Sequence, residues 1–279
     1  MNFVLLTLSV LLITGLVGAL LLYFVSKRFA VEEDTTVEAI ADLLPGANCG
    51  GCGFKGCRDF ATTCASASSL AGIYCPVGGQ PVMQRIAEIV GLATEEVEPT
   101  VAVVKCNGCK EIRPRTATYD GVRSCALMAT VAVGETGCAF GCLGCGDCEA
   151  ACEYGAIVIN PLTGLPEVDA DRCTSCGKCA KACPRHLIEL RPKGKRDRRV
   201  WVACSNRDRG AVARKACGAA CIGCSKCAKT CPFGAITVAN NLSYIDPALC
   251  KACGKCVDVC PTGAILSTFK QKCDEPTDI

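Results

Sequence analysis

Apolar residues dominate the first stretch of the chain, and the pattern changes abruptly after it. Residues 3–25 carry no charged side chain and are nearly all apolar. A helix of that length is about 35 Å long at ~1.5 Å per residue, which is enough to cross a bilayer. A cleaved signal peptide is the alternative, but the segment lacks a basic start, its apolar run is too long and no small-residue cleavage site follows. The pattern therefore predicts one transmembrane helix.

Beyond this helix the pattern predicts short elements separated by turns. Residues 31–44 are acidic and compatible with a helix, which would end before Pro45 and Gly46. Residues 156–169 carry branched side chains on either side of a Pro-Leu-Thr-Gly turn, and residues 235–246 do so around Asn-Asn, which predicts two small hairpins. Aromatic residues make up only 5% of the chain, so something other than a large aromatic core must hold these segments together.

Cysteine changes this picture, because it occupies 28 of the 279 positions. Many cysteines stand three positions apart, too close for each to find its own disulfide partner without strain, and this spacing suits thiolates that converge on one metal centre. A disulfide scaffold of the secreted type is therefore disfavoured. Lys27 and Arg28 follow an uncharged leader, so the positive-inside tendency places the rest of the chain in the cytoplasm, where thiols stay reduced.

A glycine-rich loop after the acidic segment carries the first candidate site. Its cysteines have the spacing C-x2-C-x4-C-x17-C, and they are Cys49, Cys52, Cys57 and Cys75. Glycines let such a loop fold tightly and turn amide groups toward cluster sulfurs. A structural zinc site is the alternative, but three ligands in one loop favour a 4Fe–4S cluster over the paired knuckles of zinc sites. Cys64 lies outside the pattern and is expected to be a buried, small apolar side chain.

The run C-x2-C-x2-C-x3-C occurs four times, in two pairs. In bacterial two-cluster ferredoxins, three cysteines of one run and the fourth of its partner run bind each cluster. The predicted ligand sets are Cys142, Cys145, Cys148 with Cys183; Cys173, Cys176, Cys179 with Cys152; Cys221, Cys224, Cys227 with Cys260; and Cys250, Cys253, Cys256 with Cys231. This crossing of ligands makes each pair of runs one compact ferredoxin unit.

The repeat extends upstream of the ferredoxin runs. Cys125 and Cys138 precede the first pair of runs by the same intervals at which Cys204 and Cys217 precede the second. A sixth cluster is predicted on Cys106, Cys109, Cys125 and Cys138, with five clusters as the alternative. Cys204 and Cys217 have no matching pair and receive no role. Cys273, in the charged tail, is expected to be a free thiol.

Together these features predict a fold class of small α+β domains, each nucleated by clusters, behind one transmembrane helix. The predicted segments are the transmembrane helix 1–27, an N-terminal 4Fe–4S domain 28–98, a middle segment 99–137, a first ferredoxin unit 138–192, a basic connector 193–216, a second ferredoxin unit 217–269 and a tail 270–279.

Charge is distributed unevenly although the formal net charge is only +3. Residues 191–215 hold ten basic and two acidic side chains, whereas residues 31–100 hold three basic and ten acidic ones. The basic stretch is either a solvated linker or a surface that attracts small acidic electron carriers. Nothing else resembles a nucleic-acid-binding module, so nucleic acid is not an expected partner.

The remaining residues predict electron transfer without bond chemistry. The sequence has no glycine-rich dinucleotide fingerprint and no nucleophile–histidine pair, and its one histidine, His186, is expected to be structural. No catalytic residue is therefore predicted. Thiolate-ligated clusters supply low potentials, which hydrogen bonds, nearby charge and solvent exposure tune.

The leader helix, the loop LPGANCGGCGFKGC, the stretch GCLGCGDC and the tandem runs together resemble the B subunits of Rnf complexes, in their long form. Rnf complexes are ferredoxin–NAD oxidoreductases of the bacterial inner membrane that couple electron flow to ion pumping. The resemblance covers essentially the whole chain. It implies a translocase subunit that takes electrons from reduced ferredoxin and passes them through 4Fe–4S clusters to other Rnf subunits.

Two other functions are weighed against this resemblance. A polyferredoxin of a membrane hydrogenase or formate dehydrogenase would share the ferredoxin runs but should lack the set at Cys49 to Cys75. A zinc-binding interaction protein without redox function would have the cysteines but no visible absorption.

Overall fold

The computed structural model describes residues 2–28 and 34–270. Helix α1, Asn2–Arg28, confirms the predicted apolar helix, and its part Leu5–Arg28 is long and apolar enough to cross a membrane. Its large side chains are exposed; Leu11, for example, is 70% exposed. Because exposed apolar surface on this scale is unfavourable in water, the helix requires an apolar environment such as lipid.

Three helices form the N-terminal domain: α2 (Thr35–Leu43), α3 (Cys57–Ser66) and α4 (Gly79–Val90). The Asp34 carboxylate caps α2 by accepting the N–H of Thr36 at 2.9 Å. Helix α2 confirms the predicted helix from residue 35 onward, whereas residues 31–33 lie outside the described part of the chain. Gly91, with a left-handed φ of 68°, ends α4.

The core of this domain consists mainly of aliphatic and aromatic side chains. Ile40, Phe60, Met83 and Ile86 are each at most 1% exposed. Cys64 is fully buried among them, as the sequence predicts, and burial raises the pKa of its thiol to about 11. The three helices are therefore held together by ordinary apolar packing.

Two repeats with the same order of elements make up the rest of the described chain. Each begins with a strand, continues through a short helix into a ferredoxin unit, and ends with a strand that pairs antiparallel with the first. The first repeat contains β1 (Thr100–Val104), α5 (Cys125–Val131), α6 (Asp147–Ala150), β2 (Ile157–Ile159), β3 (Pro166–Val168), α7 (Lys178–Ala182) and β4 (Ile188–Pro192). The second contains β5 (Val200–Val202), α8 (Gly210–Ala216), α9 (Lys226–Thr230), β6 (Ile236–Ala239), β7 (Leu242–Ile245), α10 (Lys255–Asp258) and β8 (Ile265–Ser267).

Both predicted hairpins are confirmed, because β2 pairs with β3 and β6 pairs with β7. Asn240 and Asn241 form the second turn with φ values of 48° and 61°. Asparagine tolerates this left-handed conformation better than most residues, which explains the Asn-Asn sequence of the turn.

The outer strands join segments that the sequence analysis separates. Strand β1 lies in the predicted middle segment but pairs with β4 of the first ferredoxin unit. Strand β5 lies in the predicted basic connector but pairs with β8 of the second unit. Residues 99–137 and 193–216 are therefore partly built into the two repeats.

The two repeats contact each other through these outer strands. The indole N–H of Trp201 donates to the Val104 carbonyl at 3.0 Å, and the Ser205 hydroxyl donates to the Lys105 carbonyl at 3.1 Å. Val103, Trp201 and Ala203 form a shared apolar cluster. This contact brings the residues that follow β1 close to those that follow β5.

Candidate iron–sulfur centres

The structure brings the four predicted N-terminal ligands together. Cys49, Cys52, Cys57 and Cys75 line one cavity between the glycine-rich loop and α3. The Asn48 side chain fixes the loop by accepting the N–H of Cys57 at 2.8 Å. The N–H of Gly78 lies 3.4 Å from the Cys75 sulfur, which is the kind of amide–sulfur contact that stabilises a negatively charged cluster.

The first crossed ligand set is also gathered in one place. Cys152 from the first run lines a cavity with Cys173, Cys176 and Cys179 from the second. The N–H of Ala156 donates to the Cys152 sulfur at 3.3 Å. Burial raises the pKa of the Cys179 thiol to about 11, and nearby Cys173, Cys176 and Cys152 add to this shift. Four thiols from two runs therefore converge here.

The partner set of the same unit centres on Cys148. Burial raises the pKa of its thiol to about 12, and Cys125 and Cys183 contribute as neighbouring negative charges. The N–H of Leu187 donates to the Cys183 sulfur at 3.4 Å, just as the N–H of Ala156 donates to the Cys152 sulfur. In both cases the donor stands four residues after the cysteine.

The second ferredoxin unit repeats this arrangement. Cys231 lines a cavity with Cys250, Cys253 and Cys256. In the other set, the buried Ser243 hydroxyl lies 3.4 Å from the Cys227 sulfur and 3.6 Å from that of Cys221, and Cys260 packs in the same apolar cluster as Cys227. Cys224 and Cys253 are exposed, so both centres of this unit approach the protein surface.

The predicted middle set, Cys106, Cys109, Cys125 and Cys138, stays a prediction, and the structure shows what surrounds its members. Cys125, the first residue of α5, lies at the first ferredoxin unit, where burial raises the pKa of the Cys145 thiol most and the nearby Cys125 raises it further. Asp147 holds it there by accepting the Cys125 N–H at 2.8 Å. The Cys109 thiol interacts with the Glu111 carboxylate. The start of α5 therefore lies against the start of α6.

The N-terminal centre and the first ferredoxin unit are direct neighbours. A Cβ atom on Gly51 would lie 2.7 Å from the Cys176 carbonyl oxygen, so only glycine fits this contact. The Tyr154 side chain is near both Cys176 and Cys49; burial raises the pKa of its phenol most, and these two thiols raise it further. Sequence patterns gave no signal for this contact beyond the glycine itself.

The donor sets fit 4Fe–4S clusters. Every cysteine within residues 34–270 is a free thiol. Across the described residues, no three side chains of His, Cys, Asp or Glu are arranged to hold a single metal ion. Four sulfurs around one zinc would each lie ~2.3 Å from it. Ligands of a cubane stand farther apart because the iron and sulfide of the cluster occupy the centre between them.

Helix α1 and the sets of converging thiols in ferredoxin folds define the class of protein: a membrane-anchored iron–sulfur electron carrier. Comparison with family models agrees, since the 4Fe-4S dicluster domain matches residues 141–187 and 220–264. The FeS family model, for an Fe-S cluster, matches residues 44–68.

Curated relatives are similar along most of the chain. The B subunit of the Na(+)-translocating ferredoxin:NAD(+) oxidoreductase complex of Acetobacterium woodii is 42% identical over 88% of this chain and 72% of its own length. The B subunit of the proton-translocating complex of Clostridium ljungdahlii is 40% identical over 89% of this chain and 86% of its own length. The B subunit of the ion-translocating oxidoreductase complex of Methanosarcina acetivorans is 38% identical over 83% of this chain and 86% of its own length. The chain belongs to the family of Rnf complex B subunits, and it is an electron-transfer subunit of such a complex.

Proposed function

We propose that this subunit accepts electrons from a small acidic carrier, reduced ferredoxin, and relays them through 4Fe–4S clusters toward the membrane subunits of its complex. The observation that supports the entry point is a basic groove beside Cys250, one of the predicted cluster ligands. The relatives from Acetobacterium woodii and Clostridium ljungdahlii are subunits of ferredoxin:NAD(+) oxidoreductase complexes, which agrees with a ferredoxin donor.

Four exposed cations line this groove: Lys195, Arg196, Arg198 and Lys251. Arg198 is oriented by the Phe269 ring, whose centroid lies 4.0 Å from the guanidinium carbon. The carboxylate of Glu98 also lines the groove, where it accepts the N–H of Gly194 at 3.1 Å. The groove therefore carries a net positive charge that would attract an acidic protein and raise its encounter rate.

The cluster next to this groove is suited to receive an electron. Its proposed ligands are Cys250, Cys253, Cys256 and Cys231, and Cys253 is exposed. An acidic carrier in the groove would bring its own cluster near this one without entering the protein. The candidate docking residues are therefore the exposed cations of this groove and not the whole basic stretch 191–215.

Arg199 also lines the groove, but its side chain is buried and is not counted among the exposed cations. Its guanidinium is 8% exposed and is paired with Asp197, so it stabilises the turn at Lys195–Asp197. Arg191 is likewise buried, at 3% exposed, and bonded to Glu189. A basic residue in the sequence stretch is therefore a docking candidate only where the fold exposes it.

The exit of the relay is proposed at the N-terminal centre. This centre contacts the first ferredoxin unit at Gly51 and Cys176, and it follows the membrane helix α1 directly in the chain. Lys27 and Arg28 at the end of α1 support a single-pass orientation with the cluster domains in the cytoplasm. Other subunits would then carry out NAD reduction and ion translocation.

The proposed ligands are the N-terminal set and the four crossed sets, which would hold five clusters. Anaerobic purification with counting of iron and acid-labile sulfide tests this assignment. Visible absorption from 4Fe–4S clusters would also exclude the zinc-binding alternative, which predicts a colourless protein.

A matched pair of variants tests the docking surface. Lys195→Glu with Arg196→Glu reverses two cations in the groove, whereas Arg214→Glu with Lys215→Glu reverses two exposed cations on α8, outside the groove. We expect the groove variant to slow reduction by ferredoxin at least tenfold at low salt and much less at high salt, because salt screens exposed charges. Iron content should be unchanged in both. Equal rates for the two variants at low salt would exclude the groove as the entry point.

A further inference from the structure

Cys204 and Cys217, which have no predicted role, occupy positions in the second repeat that are equivalent to those of Cys106 and Cys138 in the first. Cys106 follows β1 and Cys204 follows β5, each two residues after the strand ends. The Cys106 sulfur accepts the N–H of Cys142 at 3.4 Å, and the Cys204 sulfur accepts the N–H of Cys221 at 3.3 Å. Cys142 and Cys221 each open a ferredoxin run. The structural counterpart of Cys204 is therefore Cys106, not Cys125.

A second equivalent pair lies just before the same runs. Cys138 and Cys217 both stand four residues ahead of the run, after helices α5 and α8. Both are buried, at 5% and 6% exposed. Cys217 packs with Ala213 and Ala220 in a cluster that also includes Cys204.

These four cysteines meet where the two repeats contact each other. The amide nitrogen of the Asn206 side chain, in a residue 1% exposed, lies 3.5 Å from the Cys138 sulfur, while the Asn206 backbone N–H lies 3.5 Å from the Cys204 sulfur. One residue of the second repeat thus contacts a cysteine of each repeat. A Cβ atom on Gly141 would lie 3.4 Å from the Cys138 sulfur and 2.7 Å from Nη1 of Arg113, and a Cβ atom on Gly108 would lie 3.1 Å from the Cys217 sulfur, so a cysteine of each repeat lies beside the same arginine.

Positive charge surrounds this group. Arg113 is 8% exposed, and its Nε has no hydrogen-bond partner among the described residues. The Arg113 Cδ and the Cys217 sulfur both lie within 3.2 Å of where a Cβ on Gly108 would stand, so the guanidinium stem passes close to the thiol. Arg185 is also near, since its guanidinium donates to the carbonyl of Gly141, which stands between Cys138 and Cys142. Buried guanidinium groups require a compensating anion.

We propose that Cys106, Cys138, Cys204 and Cys217 bind a 4Fe–4S cluster between the two repeats. This inference rests on the proposed relay function, and it replaces the ligand set that sequence intervals predicted for the middle cluster. Four thiolates and a cubane carry a net negative charge, which Arg113 and Arg185 would offset. The site would take one electron from the second ferredoxin unit and pass one electron to the first, with no bond made or broken.

The cluster would give the relay continuity. The five other proposed centres form two groups, one in the second ferredoxin unit and one in the first unit with the N-terminal domain. The repeats contact each other around β1 and β5, where these four cysteines lie. A centre at this position also ties both repeats to one cofactor, so it would stabilise their contact.

Cysteine variants of the full chain, purified anaerobically in detergent, test this site. We expect Cys204→Ala and Cys217→Ala each to lose about four iron atoms and four sulfides per chain and one component of the electron paramagnetic resonance spectrum. Cys109→Ala is the matched control, because the sequence intervals make Cys109 a ligand and the structure does not. It should keep all of its iron. Full iron in Cys204→Ala and Cys217→Ala, or loss of four irons in Cys109→Ala, would overturn the proposal.

A variant of a charged residue tests the proposed cluster site if a cysteine-to-alanine variant does not fold. Arg113→Gln should keep its iron but lower the reduction potential of one cluster only, since a cation beside a cluster favours the reduced state. Arg113→Lys should restore part of that potential. Unchanged potentials for all clusters in Arg113→Gln would contradict the proposed site. The proposed function fails separately, namely if the unmodified chain contains no iron–sulfur clusters or is not reduced by ferredoxin.

Discussion

The N-terminal domain and the second ferredoxin unit use their cysteines in opposite ways. In the N-terminal domain, Phe60 and Met83 fill a core between helices, and of the four proposed ligands only Cys75 is buried in it. In the second ferredoxin unit, Cys227 and Cys256 belong to the buried core itself, beside Ile245. The first cluster is thus attached to a domain with its own core, whereas the later clusters are part of the core that they nucleate.

Removal of iron should produce the largest difference in folding between the N-terminal domain and the ferredoxin units. In the anaerobic apoprotein we expect the ferredoxin units to unfold, because their strands and helices are only three to five residues long and lack another large core. Helices α3 and α4 should stay protected, since their packing is apolar. Hydrogen exchange measured by mass spectrometry can follow each segment. Equal loss of protection in both regions would contradict the comparison.

Truncation of a buried side chain should release a different number of clusters in the two regions. Phe60→Ala removes a fully buried ring and should destabilise the N-terminal domain by about 3–5 kcal/mol, with loss of at most one cluster. Ile245→Ala, at an equally buried position in the second unit, should destabilise by about 2–4 kcal/mol but release both clusters of that unit. Denaturant unfolding combined with iron counting distinguishes the two variants. Loss of a single cluster from Ile245→Ala would show that this core does not depend on its clusters jointly.

Ligand variants should reveal independent sites in one region and crossed sites in the other. Cys49→Ala should remove one cluster and leave the ferredoxin units folded, because its neighbours in the cavity all come from the N-terminal domain. Cys152→Ala should disturb the cluster of the following run, at Cys173, Cys176 and Cys179, because it lines their cavity. Paramagnetic resonance spectra identify the altered cluster. A change confined to the cluster of Cys148 would refute the crossed pairing.

The smallest effect is expected at a single backbone position. Short helices α6, α7 and α10 each follow a glycine with positive φ, but α9 follows Ser225 with a φ of 59°. Ser225→Gly should therefore relieve strain and stabilise the second unit by up to ~1 kcal/mol. Ser225→Ala keeps the strain and should not stabilise. Thermal unfolding under anaerobic conditions compares the three proteins; no gain for glycine would show that the loop tolerates the serine without strain.

Local spacing predicted most of the local structure. The apolar helix, both hairpins and the grouping of Cys152 with the run at Cys173 each follow from a pattern within one continuous stretch of chain, because such patterns set the local path of the backbone. The fold class could be inferred for the same reason, since each ferredoxin unit is a continuous stretch of chain. The family resemblance, which rests on these motifs together, agrees with the relatives.

Only the tertiary structure decided how distant segments combine. Sequence intervals do not show that Asp147 of the first ferredoxin unit accepts the N–H of Cys125, 22 residues earlier. Arg199 lies in the basic stretch 191–215, yet its side chain is buried against Asp197. The pairing of β1 with β4 and of β5 with β8 spans more than 60 residues in each case, and it decides which cysteines and cations meet. Intervals along a chain do not encode such contacts, because they arise from packing between segments whose separation in sequence is free to vary.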